Sequence, residues 1–450
     1  MVLPFMVCKN LRDLFMFKYV ISSSEREVLY QAKAVMGGKD SDSPLLAIRR
    51  YTVASGISTF GQIMSYTLDI LIKRWVSNEH IAELRAVIAS NNEVYVVHDY
   101  IEHDLQQIIQ YRRLVHITSL PAPFIKSVTY QIMQGVAFLH DHEIYHRALR
   151  PSAILITQEG VVKIGNLDSA WTSESQAESG RYLPEFRNSQ QFFYISYLAP
   201  ELLLLDEWTT SAADVWAVGC VMAEMVLLRP IFQGPRRQLR IHEGVEFDED
   251  LRPVFNAIEL LLGTPQPHNW QYLIGLQHFV KSYAPARRSP TNTRPALKQP
   301  AIPTRPRLEE WCNHYMPNSG SFAFLSEIFD YDPTKRLTAK DALQHPWFGI
   351  DPTPTSDVFE ALSTFEKPPH RNMLSVEKRS QAAARSASSR KRAYLYGTAR
   401  ITGMPLLLDN SCLPKNDSEP RSPQMSTKKR VSVETASTTR NVSQKKSRTH

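Results

Sequence analysis

The stretch Ala213–Leu227, ADVWAVGCVMAEMVL, is apolar almost all the way round a helical projection. A helix of that kind offers no face to water and has to be wrapped on every side by other elements. The chain must therefore build a helical body large enough to enclose it. Phe124–His142, FIKSVTYQIMQGVAFLHDH, predicts one wall of that body, because Ile125, Val128, Ile132, Val136 and Leu139 fall near one face. FAFLSEIFDYDP and TAKDALQHPWF read as closing helices, and the Pro-rich stretch 287–307 reads as a long loop before them. Upstream the signal changes. Residues 48–73 alternate apolar residues with turn formers, and VYVVHDY at 94–100 is rich in β-branched and aromatic side chains, which predicts a small sheet. The expected class is α+β.

The net charge of +7 is not spread evenly. From Glu366 onward there are 18 Lys and Arg against 6 Asp and Glu, which leaves 34 against 39 for the first 365 residues. The body is mildly acidic, and the excess positive charge belongs to a Ser/Thr-rich tail with too few apolar residues to offset its ordering entropy. Residues 366–450 are accordingly expected to be disordered. Arg390-Lys391-Arg392, Lys428-Lys429-Arg430 and Lys445-Lys446 fit contacts with import receptors or nucleic acid, and equally a plain solvated tail. Four cysteines, Cys8, Cys220, Cys312 and Cys412, lack the spacing of a disulfide framework or a zinc site. No apolar run approaches the roughly 18 residues of a membrane span, so no membrane partner is expected. The apolar N-terminus is broken by Lys9, Arg12 and Asp13 and reads as an amphipathic helix rather than a signal peptide.

GISTFGQI at 56–63 and ILIK at 70–73 lie in the strand-like region. Gly56 and Gly61 would let backbone amides approach phosphate groups, Ile63 would cover a base, and Lys73 would offer its ammonium to phosphate oxygens. Two glycines in a strand–turn–strand are common, so this pattern carries little alone. Order along the chain carries more. YHRALRPSAILI at 145–156, VVKIGNLDSA at 161–170, LAPELL at 198–203 and DVWAVGC at 214–220 follow one another in the order and rough spacing of the protein-kinase signature set.

On these motifs the chain resembles a eukaryotic protein kinase over about residues 48–348. YIEHDLQQII, LLRPIFQG, LLLGTPQPHNW and FDYDPTKRLTAKDALQHPWF make it similar to the cyclin-dependent group, and within it to the kinases of the fungal Mediator complex. The resemblance implies a bilobal fold: an N-terminal extension at 1–47, a reduced β-rich lobe at 48–105, a mainly helical lobe at 106–348, and a linker with disordered basic tail at 349–450. It also implies an ATP cleft formed by Gly56, Gly61, Ile63, Ile72 and Lys73 above and Leu155 beneath. His98 would stand at its gate, with the backbone of Asp99 and Ile101 as hinge.

The reaction centre departs from the family. Where the resemblance implies a catalytic aspartate, a metal-holding asparagine and a metal-holding aspartate, this chain has Ala148, Ala153 and Asn166. Arg150 stands for the catalytic-loop lysine, and Asp168 for the glycine of the metal motif. An alanine accepts neither a proton nor a cation, and positioning plus electrostatics supply most phosphoryl-transfer catalysis. The expectation is a pseudokinase whose ATP binding is weak and little dependent on magnesium. After Lys73 the chain runs almost directly into the next strand, so the helix that pairs with the lysine and meets the cyclin is expected to be absent, lost by the protein or by an exon. LRDLFMFKYVI at 11–21 is one candidate to fill the groove.

Positions with structural roles in the family are retained: His146, Arg147, Asp214 as anchor of the catalytic-loop backbone, and Glu201 with Arg336 as a buried ion pair. Ser189 falls where relatives carry an activating phosphate that Arg147 would receive, while Ser196 and Leu198 weaken the case for proline-directed substrates. The resemblance implies a nuclear regulator of transcription with Mediator subunits, and cyclin C if the docking surface exists, as partners. A divergent active Ser/Thr kinase is the alternative.

Overall fold

The computed structural model describes residues 5–8, 10–23, 27–35, 43–52, 77–90, 93–167, 170–172, 195–203, 210–233, 248–265, 270, 306–317, 319–362, 370–371 and 374–375. The first lobe is a sheet. β1 (Phe5–Val7), β2 (Phe15–Ser23), β3 (Glu27–Ala34), β4 (Leu45–Thr52), β5 (Leu84–Ser90) and β6 (Glu93–Asp99) are joined by a strand from the far end of the chain, Leu374–Ser375, in the order β1-β5-β6-β4-β3-β2 and then 374–375. Side chains alternate across it with the period of two that strands impose. Ala86, Ile88, Tyr95 and Val97 point into one apolar cluster with Leu11, Phe15 and Ile48, whereas Val87, Val96, Leu84 and Tyr51 form another on the opposite face. Segments near the two chain ends sit on the two sheet edges: β1 pairs in parallel with β5, and 374–375 pairs antiparallel with β2. Covering an edge removes a template for unwanted strand pairing.

These strands revise the expected boundaries. Residues 1–47 are not an appendage, since they supply β1, β2, β3 and the start of β4 to the same sheet. The expected N-terminal helix is a single 3-10 turn at Leu11–Asp13 followed by β2. FMFKYVISS is dominated by aromatic and β-branched residues, which fit a pleated surface, and β3 pairs along it. Held in the sheet, residues 15–21 cannot fill a groove elsewhere. At the other end, Gln131 Nε2 donates to the carbonyls of Thr355 (3.1 Å) and Ser356 (2.8 Å), so the described residues just beyond 348 are packed rather than a loose linker. His370 and Arg371 are also placed, Arg371 fully within the fold, while the rest of the basic tail from 376 lies outside the described residues.

The second lobe is helical. β7 (His103–Asp104) leads into α1 (Leu105–Leu114), which Asp104 caps by accepting from the Gln107 N–H at 2.8 Å. α2 (Ala122–Asp141) buries the face read from the sequence. β8 (Ile144–Tyr145), β9 (Ile154–Ile156), β10 (Val162–Ile164) and β11 (Trp171–Thr172) are short; β8 pairs with β11, and β9 lies between β10 and β7. α3 (Pro200–Leu203) precedes α4 (Ser211–Leu227), whose residues are buried from Ala212 to Val226. α2 and α7 (Ser321–Ile328) pack against it, while α5 (Asp248–Leu262) packs on α3, α6 (Leu308–Tyr315) on α7 and α8 (Ala339–Leu343) on α2. Gly219 makes that enclosure possible, because a Cβ there would lie 2.5 Å from Ile328 Cγ2 and 2.8 Å from Phe329 Cε1. Trp216 stacks on Phe232 with ring centroids 5.6 Å apart and meets Phe329 edge-on at 4.8 Å.

Candidate active site

The two lobes meet at a cleft of about 360 Å³. Ile21, Leu29 and Ala47 come from β2, β3 and β4, and Leu155 comes from β9. These apolar side chains leave a slot suited to a flat ring system. At its inner end stands Arg49 on β4, the strand flanked by β3 and β6. Its Nη1 donates to Glu27 Oε2 at 3.1 Å, and its Nη2 donates to Asn166 Oδ1 across the cleft. Asn166 has φ of 61°, in the left-handed region that asparagine tolerates better than most residues.

Gly56, Gly61, Ile63, Ile72 and Lys73 lie outside the described residues; among the described residues, Arg49 is a strand-borne cation facing the cleft. Ile21 and Leu29 line the described part of the cleft. Residues 53–83 separate β4 from β5, and 53–76 of them lie outside the described residues. Ala47-Ile48-Arg49 carried the signal. An arginine there keeps the charge of a lysine but changes its geometry.

The hinge side is polar. Arg85 holds Asp99 through Nε to Oδ1 (2.8 Å) and Nη2 to Oδ2 (2.6 Å), and Ile101 is buried. His98 places its Nδ1 3.1 Å from the carbonyl of Glu83. Arg371, which the sequence reading left in the disordered tail, lines the cleft, gives its backbone N–H to Glu102 O at 3.0 Å, and sets Nε 3.5 Å from Asp104 Oδ2. Burial raises the Asp104 pKa while Arg371 opposes it, and burial lowers that of Arg371.

The catalytic-loop segment between β8 and β9 is held by Asp214, from α4. Its Oδ2 and Oδ1 accept the backbone N–H groups of His146 and Arg147, each at 2.8 Å, and Oδ2 lies 3.1 Å from His140 Nε2. Burial works against the Asp214 charge, yet His140 and the backbone donors outweigh it and the pKa lies below the ordinary carboxylate value. The His146 ring faces Gly165 O through Nε2 at 2.8 Å and the Ala148 N–H through Nδ1 at 3.2 Å, the pattern of a neutral ring protonated on Nε2. Arg147, at φ of 64°, lies over the Trp171 ring at 4.1 Å. Ser189 and Asp168 lie outside the described residues.

Ala148 and Ala153 bring only methyl groups to the loop. Arg150 folds back across it, donating from Nη1 to Ala148 O and from Nε to Ser152 Oγ, both at 2.9 Å. Farther down, Arg336 grips Glu201 with Nη1 to Oε1 at 2.8 Å and Nη2 to Oε2 at 2.9 Å. Beside them, Glu224 on α4 accepts from Tyr197 Oη at 2.5 Å, and burial pushes its pKa up to about 7. A raised carboxylate pKa favours the folded state most below the unfolded value near 4.5, and that advantage is lost as pH rises through 7. Glu224→Gln is therefore expected to flatten denaturant-measured stability across this window, the wild type losing about 3 kcal/mol more than the variant. Parallel slopes would refute the assignment.

With this geometry the family is plain. The protein kinase domain model matches residues 39–348, and the chain belongs to the protein kinase family. Several similar proteins are named serine/threonine-protein kinase SSN3. That of Aspergillus fumigatus is 30% identical over 384 residues, covering 81% of this chain and 84% of the relative. That of Coccidioides immitis is 30% identical over 378 residues, covering 80% and 77%. That of Scheffersomyces stipitis is 34% identical over 298 residues, covering 66% and 64%.

Protein kinase domains in general use ATP with magnesium. The cleft fits a nucleotide by its size and its apolar walls. The residues at the metal positions do not fit magnesium, which is bound through hard, usually anionic oxygens. Asn166 is a neutral amide whose Oδ1 already accepts from Arg49, Ala153 has no ligand atom, and among the described residues no three His, Cys, Asp or Glu side chains converge.

Proposed function

We propose that this chain is a kinase-fold regulator that has lost phosphotransfer, a pseudokinase acting by binding rather than by chemistry. The observation that carries the reading is the Arg49–Asn166 contact, set among Ala148 and Ala153, at the place where catalysis needs two metal ligands and an acceptor for the substrate hydroxyl. The retained frame around it, Asp214 on the loop backbone and Arg336 on Glu201, argues for preserved shape. Likeness to the SSN3 kinases supports a nuclear role in transcription with Mediator subunits and cyclin C as partners, and the basic tail suits import receptors or nucleic acid. The length of residues 53–83, between β4 and β5, leaves room for a docking segment and so supports a cyclin partner. Intact frame residues also suit a divergent active Ser/Thr kinase.

The test is transfer from γ-labelled ATP to basic protein and Ser/Thr peptide substrates by the purified full chain, alone and co-expressed with cyclin C. The expected result is no incorporation above that of Arg49→Ala. Incorporation abolished by Arg49→Ala would establish the active alternative.

A further inference from the structure

We propose that the inner end of the cleft is a metal-free polyphosphate site, in which Arg49 supplies the counter-charge to a nucleoside polyphosphate and magnesium acts as its competitor. The inference rests on the pseudokinase reading and assigns a ligand state to the same cleft.

Three described carboxylates line the cleft, and each is tied to an arginine: Glu27 to Arg49 at 3.1 Å, Asp99 to Arg85 at 2.6 Å, and Asp104 to Arg371 at 3.5 Å. A divalent cation would have to break one of these pairs to gain an anionic ligand there. Asn166, the neutral residue where a metal-holding aspartate is expected, is already bonded to Arg49. Arg49 takes part in one of these pairs. Arg49 is held from both sides of the cleft with its side chain 14% exposed, and Arg150 lines the same inner end. A guanidinium presents a rigid fork of donors that matches phosphate oxygens, and a fixed one loses little freedom on binding.

The consequence inverts the usual dependence. Free ATP carries more negative charge than its magnesium complex, and all its phosphate oxygens remain open to guanidinium donors. The lining sets three arginines, Arg49, Arg150 and Arg371, against three carboxylates that are already paired, and Arg49 competes with a metal for the same phosphate oxygens. The apolar slot formed by Ile21, Leu29, Ala47 and Leu155 then selects a nucleoside over bare polyphosphate.

The experiment is titration calorimetry of the intact chain with ATP in EDTA, with ATP in excess magnesium, and with inorganic tripolyphosphate in EDTA. Binding is expected to be strongest for free ATP, weaker by several-fold with magnesium, and weaker again for tripolyphosphate. Arg49→Ala is expected to reduce free-ATP affinity at least about tenfold, the size of one charge-assisted contact, and to remove the magnesium effect. Thermal unfolding of the variant confirms that it is folded, and the magnesium comparison on the wild type needs no variant. Tighter binding with magnesium, or an Arg49→Ala chain that binds unchanged, would overturn the proposal. Tripolyphosphate binding as well as ATP would overturn the nucleoside assignment. Absence of binding in every arm would overturn the site while leaving the regulator reading intact, which only phosphotransfer would overturn.

Discussion

Arg336→Ala is expected to cost about 3–5 kcal/mol of stability, enough to leave the protein marginal, because it strands Glu201 as a buried charge without its partner. Glu201 is 3% exposed, and Arg336 meets both of its oxygens. The same guanidinium donates to Ala212 O at 2.9 Å and to Asp330 O at 3.0 Å, and lies over the Trp216 ring at 5.1 Å. It therefore joins the start of α4, the loop after α7 and α3, elements that sequence alone places far apart. Replacing both partners together, Glu201→Met with Arg336→Met, is expected to cost much less than the sum, since no charge is left buried. Denaturant unfolding of the two single variants and the double variant measures this. Single-variant losses below 1 kcal/mol would show that the pair does not hold the helical lobe.

Asp214→Ala is expected to cost about 3 kcal/mol and to loosen the catalytic loop specifically. The carboxylate is the acceptor for the His146 and Arg147 N–H groups, and without it two buried donors lose their partner at about 1–3 kcal/mol each. Arg147 keeps a positive φ that the surrounding bonds sustain. Amide exchange at residues 146 and 147 should accelerate far more than exchange in α2. The pH dependence has a definite sign: a depressed carboxylate pKa contributes stability that is present above the unfolded value, about 3.9, and is lost as pH falls through the folded one. The wild type should lose this contribution in acid, and the alanine variant should have none to lose. Uniform exchange rates in the variant would refute the anchoring role.

The helical lobe was legible because its signals are local and periodic. Val128, Ile132 and Val136 recur at helical spacing, and α4 is apolar throughout, so neither needed knowledge of a partner. Motif order marked the residues of the catalytic loop, and the loss of its acceptors is written in Ala148 and Ala153 themselves. The sheet was less readable. The character of β2 and β3 shows fully only once they pair, and the place of Arg49 facing the cleft depends on its strand lying between β3 and β6 rather than on its residue type. Arg371 was hidden for a related reason. A composition averaged over the basic tail conceals one residue whose partner, Asp104, lies in a different part of the chain.

On the proposed reading the described kinase frame is retained, and substitutions at Arg49, Ala148, Ala153 and Asn166 separate it from phosphotransfer. The most direct measurement is single-turnover transfer with magnesium by the wild type and by a chain carrying Arg49→Lys, Ala148→Asp, Ala153→Asn and Asn166→Asp, with unfolding temperatures recorded for both. Each such group is worth about two to three orders of magnitude in rate, with effects that do not simply multiply. The restored chain is expected to transfer at least about a hundredfold faster than the wild type at a similar unfolding temperature. Equal rates in the two chains would contradict the claim.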